Sequence, residues 1–135
     1  MAYWLIKSEP ESFSLDDFRR EKVTVWYGVR NYTARNNLRT MQLGDIAIFY
    51  RSVKKPAAIA LAKVVREHYQ DPTTEETAWL AVDFELIEEF RKEIPLSMIK
   101  ETPELQSMEL LRLSRLSTQR VTDDEFALIC KMGRQ

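Results

Sequence analysis

Trp26-Tyr27-Gly28-Val29-Arg30-Asn31-Tyr32-Thr33-Ala34-Arg35-Asn36-Asn37-Leu38-Arg39 is the stretch around which the rest of the chain is read. It opens on an aromatic pair and carries one glycine, three arginines and three asparagines, with no acid. A helix selected only for solubility mixes its charges. Flat aromatic faces, planar guanidinium forks and carboxamide edges are instead what holds a planar, hydrogen-bonding ligand such as a nucleobase.

Local rules place these groups. Val23, Thr24 and Val25 are β-branched or apolar and run into Trp26, which predicts a short strand. Gly28 permits a turn at positive φ. Asn31 is a fitting N-cap for a helix running to about Met41. On that helix Ala34, Leu38 and Met41 fall on one face, and Asn31, Arg35 and Arg39 on a second. One side serves the core and the other something polar. The helix N-terminus points back toward Trp26 and Arg30, where an anion or a carbonyl-rich edge fits. The plain alternative is a surface helix with solvated arginines behind a core tryptophan.

Charge is spread unevenly along the chain. The 135 residues carry 20 Lys and Arg against 21 Asp and Glu, a net of -1. Residues 26 to 66 hold eight bases (Arg30, Arg35, Arg39, Arg51, Lys54, Lys55, Lys63, Arg66) against the single acid Asp45, a net of +7. The remainder holds 12 bases and 20 acids, a net of -8. A basic middle of this kind predicts a phosphate-bearing partner. The alternative is a folded surface that interleaves the charges again. One Cys (Cys130) and one His (His68) exclude an internal disulfide and a zinc site built from Cys and His. No run approaches the roughly 20 apolar residues of a membrane helix, and no secretory leader pattern opens the chain. The expectation is one soluble, intracellular domain, cytoplasmic, or nuclear if eukaryotic, without metal or cofactor.

Outside the opening stretch, Tyr3 to Lys7 predicts a strand ended by Ser8-Glu9-Pro10. Ser14 with Asp17 predicts a capped short helix through Phe18. Leu43-Gly44-Asp45 predicts a turn, and Ile46 to Ser52 a central strand with Ile46, Ile48 and Tyr50 on one face. Ala57 to Tyr69 and Trp79 to Phe90 predict two further strands, which make an antiparallel meander with the one before. Pro95 to Lys100 predicts a helical turn, Thr102-Pro103 a second helix start, and Ser117 to Val121 a last strand. Thr122 with Glu125 forms a capping box for a C-terminal helix burying Phe126, Ile129 and Cys130. The sum is an α+β domain with a strongly curved sheet.

The candidate groups outside the helix are Lys7, Ser8 and Glu9 at a strand exit, Ser52 at the end of Phe49-Tyr50-Arg51, and Arg115-Leu116-Ser117 before the last strand. Each has an ordinary structural reading as a turn or strand-end residue. His68 reads as a surface residue and Cys130 as core. A nucleophile with a base, or a phosphate-cradling glycine loop, is not found. Glu9 and Lys7 are the residues available for acid–base work.

Taken together, Tyr-Trp-Leu-Ile-Lys-Ser-Glu-Pro at 3–10, Trp-Tyr-Gly-Val-Arg-Asn-Tyr-Thr-Ala-Arg-Asn at 26–36, Leu-Arg-Thr-Met-Gln-Leu-Gly-Asp at 38–45, Phe-Tyr-Arg-Ser at 49–52 and Arg-Leu-Ser at 115–117 resemble the EVE-domain family over nearly the whole chain. The resemblance implies a PUA-like fold, a curved mixed β-barrel with peripheral helices. It implies a pocket that recognises a modified nucleobase in DNA or RNA without catalysis. The pocket would be walled by Trp26 and Val29, with polar contacts from Lys7, Ser8, Glu9, Arg30, Asn31, Arg35 and Asn36, and closed by Ser52, Arg115, Leu116 and Ser117. The family commonly has His where Arg51 stands here, and favours glycines where Pro56, Ala57, Ala58 and Ala60 stand. Arg39, Arg51, Lys54 and Lys55 are the expected phosphate contacts. Two other readings stay open: an enzyme acting on a modified base or nucleotide through Glu9 or Lys7, and a small-molecule or protein-binding domain that keeps the fold.

Overall fold

The computed structural model describes residues 1–135. Its centre is a six-stranded mixed sheet in the order β2-β5-β4-β3-β1-β6. The strands are β1 (Tyr3–Ser8), β2 (Val23–Trp26), β3 (Ile46–Arg51), β4 (Ala57–Gln70), β5 (Leu80–Pro95) and β6 (Thr118–Val121). The meander is present: β3 pairs antiparallel with β4, and β4 with β5. The N-terminal strand joins it in parallel, with Tyr3 opposite Ile46 and Ser8 opposite Arg51, and β6 pairs antiparallel to β1. The β4–β5 register shifts at four places. Such bulges bend and twist a long ribbon, and here they curl the sheet.

Curling gives the sheet two apolar faces and the protein two cores. The concave face buries Trp4, Ile6, Phe18, Trp26, Phe49, Phe84 and Val82 with Ala34 and Leu38 of α2 (Tyr32–Thr40) and Met41 at its C-cap. The convex face buries Leu5, Ile48, Tyr50 and Leu61 with Ile99, Leu105, Leu110, Ile129 and Cys130. Those residues come from α3 (Leu96–Glu101), a 3-10 turn (Pro103–Leu105), α4 (Glu109–Arg112) and α5 (Asp123–Gly133). The strand alternation at 46–50 therefore serves two cores, as a central strand must. The expected helix start at Thr102-Pro103 is only the 3-10 turn, and α4 begins six residues later. Phe126, expected in the core, is partly exposed and stacks on Tyr3 with ring centroids 3.8 Å apart.

The expected caps form. Ser14 and Asp17 close a capping box on α1 (Leu15–Glu21), Thr122 and Glu125 close another on α5, and the Asn31 side chain accepts the Ala34 N–H at 3.0 Å on α2. Buried Asp45 accepts the Trp4 indole N–H at 3.0 Å and the Gln42 N–H at 3.0 Å, which fixes the turn into β3.

The closed barrel does not form. β2 and β6 are the two edges of the sheet and do not pair. Each is only four residues long, so few ladder bonds would be gained by joining them. Helix α2 occupies the gap instead. Asn37 Nδ2 donates to the Thr118 carbonyl at 2.8 Å, and Thr118 Oγ1 donates to the Ala34 carbonyl at 2.9 Å. Edge groups of β6 are thus satisfied by a helix, which protects the edge as a strand would.

Candidate nucleic-acid interface

The largest cleft, about 700 Å³, opens between the C-terminal end of β1, α1 and the loop after β2. Lys7, Ser8 and Glu9 form one side, Trp26, Val29 and Arg30 another, and Ser117 contributes from the start of β6. Seven of the expected residues, distant in sequence, are therefore brought together. The lining also includes residues the sequence reading did not single out for the site: Phe13, Asp17, Glu21, Thr24 and Tyr27 among them. Tyr27 is 58% exposed and follows directly on Trp26, a signal already visible as the aromatic pair.

Trp26 is both wall and core. It is 9% exposed and meets Phe13, Phe49 and Phe84 edge-on at centroid separations of 6.1, 6.1 and 5.8 Å. The indoles of Trp4 and Trp79 donate to Asp45 and Glu76. The Trp26 N–H has no protein acceptor and is not among the fully buried unpaired atoms, so it is left for the cleft. Partial burial lowers the Lys7 pKa from its ordinary value, and Lys7 Nζ donates to the Ser114 carbonyl at 2.7 Å. Ser8 Oγ donates to the Phe13 carbonyl at 2.5 Å and so closes the 9–13 turn at the cleft edge.

The lip of the cleft is built on Asp71, whose sequence context is that of an ordinary turn. Buried Asp71, between β4 and β5, accepts the Gly28 N–H at 2.8 Å and Arg30 Nη1 at 2.9 Å. It also accepts the Thr73 N–H at 2.7 Å and the Thr73 hydroxyl at 2.6 Å. Burial alone would raise its pKa. The bonds from Thr73, Gly28 and Arg30 outweigh that and hold the carboxyl at about 2. Gly28 sits at φ +81, a conformation that carries its N–H to Asp71 and that a side chain would resist. An aspartate in an Asp-Pro-Thr-Thr turn looks like ordinary turn chemistry, and nothing local shows that it serves a loop 43 residues away.

Other expected contacts lie elsewhere. Asn31, Arg115 and Leu116 line a separate shallow cavity of about 350 Å³ next to the cleft. Ser52 does not reach the cleft; its N–H and hydroxyl both go to the Ser8 carbonyl, at 2.9 and 3.2 Å, and steady that strand end. Arg35 turns away, donating to the Ala78 carbonyl at 2.7 Å and to Asn36 Oδ1 at 2.9 Å. Arg51 pairs with Glu93 at 2.7 Å and donates to the Lys55 carbonyl. Lys54 and Lys55 are exposed in the β3–β4 turn, and Arg39 is exposed at the end of α2. His68 is exposed on β4, and Cys130 is buried in the convex core, where burial pushes its thiol pKa up.

The basic middle is partly neutralised by folding. Arg30 pairs with Asp71, Arg51 with Glu93 and Lys63 with Glu85. Three of the eight bases behind the +7 of the linear sequence thus face acids from outside that segment.

A family model described as the EVE domain matches residues 2–132. Thymocyte nuclear protein 1 of Gallus gallus is 35% identical over 168 aligned residues, which cover 99% of this chain and 69% of that protein. A solved Rhodopseudomonas palustris protein matches with a TM-score of 0.94 at 37% identity, covering 98% of this chain and 93% of that one. The crystal structure of human THYN1 protein in complex with 5-methylcytosine-containing DNA matches with a TM-score of 0.93 at 34% identity, covering 100% and 99%. At 12% identity and a TM-score of 0.60, the YTH domain of Zygosaccharomyces rouxii MRB1 protein shares the fold alone, over 99% of this chain and 85% of that one. No helix is long and apolar enough to cross a membrane. On its sequence and its fold, this chain belongs to the EVE-domain family.

Proposed function

We propose that this protein is a non-enzymatic module that takes a modified nucleobase of a nucleic acid into the cleft beside Trp26. The observation that carries the reading is the human relative solved with 5-methylcytosine-containing DNA, joined here to a cleft of about 700 Å³ with an aromatic wall and a fixed arginine. That volume lies in the range of roughly 300–1,000 Å³ usual for ligand sites. The cleft walls also carry Glu9, Asp17 and Glu21. Carboxylates repel phosphate and accept hydrogen bonds from an exocyclic amino group, so the cleft suits a base edge and leaves the sugar–phosphate backbone outside. Glu9 and Lys7 stand at a cleft with only one histidine in the chain, exposed on a distant strand, which favours holding a base over transforming it.

The test is a binding series on single-stranded and duplex oligonucleotides carrying cytosine, 5-methylcytosine or other modified bases, followed by mass spectrometry of the recovered strands. The reading expects preference for a modified base, an affinity that falls with salt, and unchanged oligonucleotide mass. Equal affinity for every base refutes the recognition. Product formation that disappears in Glu9→Gln replaces the module with an enzyme.

A further inference from the structure

Beside the cleft lies a ladder of planar groups that shares only Arg30 with it. The Arg30 guanidinium sits 5.5 Å from the Trp79 ring centroid. Trp79 in turn stacks on Tyr32 at 5.1 Å with an interplanar angle of 30°, and the Arg35 guanidinium lies 5.1 Å from the Tyr32 ring. Every rung but Tyr32 is anchored. Arg30 is held by Asp71, Trp79 Nε1 donates to Glu76 at 2.8 Å, and Arg35 donates to the Ala78 carbonyl. Tyr32 is 62% exposed. Positions 32, 35 and 39 share one helix face, so exposed Arg39 continues the line one turn beyond Arg35.

We infer that this face is the path of the nucleic-acid strand flanking the base held in the cleft, with a neighbouring base packing against the exposed side of Tyr32 and phosphates passing Arg35 and Arg39. This rests on the cleft being a base site. Arg30 belongs both to the cleft lining and to the ladder, which makes the two contiguous. Aromatic side chains and guanidinium planes are the surfaces on which unpaired bases stack without regard to sequence. Arg35 and Arg39 make no ion pair, so their charge is available to phosphate. The acids of the adjoining loop are Asp71, already engaged by Gly28, Arg30 and Thr73, and Glu75 and Glu76, of which Glu76 already accepts the Trp79 N–H. The cleft discriminates one base, and the ladder adds sequence-independent grip on its neighbours.

The experiment compares 5-methylcytidine nucleoside with single-stranded oligonucleotides containing 5-methylcytosine or cytosine, on the full chain and on Tyr32→Ala and Arg39→Gln. Tyr32→Ala should weaken oligonucleotide binding about tenfold, the loss of one base–aromatic contact, and leave nucleoside affinity unchanged. Arg39→Gln, which sits on an exposed helix end and keeps the fold, should lower the salt slope of oligonucleotide binding by about 1 and also spare the nucleoside. A parent protein that binds nucleoside and oligonucleotide equally overturns the path and leaves the cleft reading intact. Loss of oligonucleotide binding in both variants, with no preference of the parent for the methylated base, supports the path and overturns the base reading. Two variants that bind the oligonucleotide like the parent overturn the path.

Discussion

Asp71 and Gly28, 43 residues apart in sequence, are joined by a 2.8 Å hydrogen bond from the glycine N–H to the carboxylate. The same oxygen receives the Arg30 guanidinium. One buried carboxylate thus fixes the backbone on one side of Val29 and the side chain on the other. The loop that carries the arginine of the cleft is short, exposed at Tyr27, Gly28 and Arg30, and would otherwise be free to move. Holding it before a ligand arrives lowers the ordering cost of binding.

Asp71→Ala should therefore destabilise the fold by about 2–3 kcal/mol, the range for losing hydrogen bonds to a charged group, as read by urea unfolding. Asp71→Asn should show the pH dependence. The folded-state pKa of about 2 lies below the ordinary value of 3.8, so the charge stabilises the fold above about pH 4 and that contribution fades as pH falls toward 2. The stability gap between the parent and Asp71→Asn should be constant from pH 5 to 7 and narrow on acidification. A gap that does not change with pH refutes the role of the charge.

Trp26 separates recognition from packing. Its edge-on contacts with Phe13, Phe49 and Phe84 put it in the concave core, so Trp26→Ala should cost about 3–5 kcal/mol of stability. Trp26→Phe keeps most of the apolar volume and removes the N–H that has no protein acceptor. It should remain folded by circular dichroism and bind a modified oligonucleotide more weakly. Binding equal to that of the parent would make Trp26 scaffold.

What the sequence made visible was whatever local chemistry controls. The Asn31 cap, the Ser14 and Thr122 capping boxes, the alternation of β3 and the buried stripe of α2 depend on neighbours within about four residues, and all are present. The gathering of Lys7–Glu9 with Trp26–Arg30 was legible through the family resemblance, because spacing alone does not show which strand ends meet. Besides the Asp71–Gly28 contact, three features had no local signal. Closure of the sheet depends on whether two four-residue edges meet, and α2 prevents it. The direction of Arg35 is set by the Ala78 carbonyl, 43 residues on. The length of β5, which runs to Pro95 rather than Phe90, depends on bulges that let charged Glu88 and Glu89 face Arg134 and Arg19.

Lys54 and Lys55 lie in a turn where Val53, Lys54 and Lys55 all have positive φ, at 58, 37 and 55°. Both lysines are exposed and neither lines the cleft. If they meet phosphate at all, they do so without reading sequence. Replacing both by Ala should weaken binding alike for modified and unmodified oligonucleotides and reduce the salt slope by about 2. A change in base preference would place them in recognition, and an unchanged slope would remove them from the interface.

Gly133 tests the convex core. It is the last residue of α5, and a Cβ built there would lie 2.5 Å from Phe90 Cγ and 2.7 and 2.8 Å from the Cδ atoms. The helix end rests face-on against the Phe90 ring, and Arg134 beside it pairs with Glu88 at 2.8 Å. Its φ is not in the left-handed region, so alanine is allowed by the backbone and favoured as a helix former by up to about 1 kcal/mol. Contact with the ring opposes that gain, since forcing an extra carbon into a packed core costs about 1–3 kcal/mol. Gly133→Ala should therefore lower stability by about 1–2 kcal/mol in urea unfolding. The cause is isolated by a double-mutant cycle with Phe90→Ala, which removes the three atoms nearest to the new Cβ. In that background Gly133→Ala should be neutral or stabilising. An equal cost in both backgrounds would mean that the glycine serves the helix end and not its packing on β5.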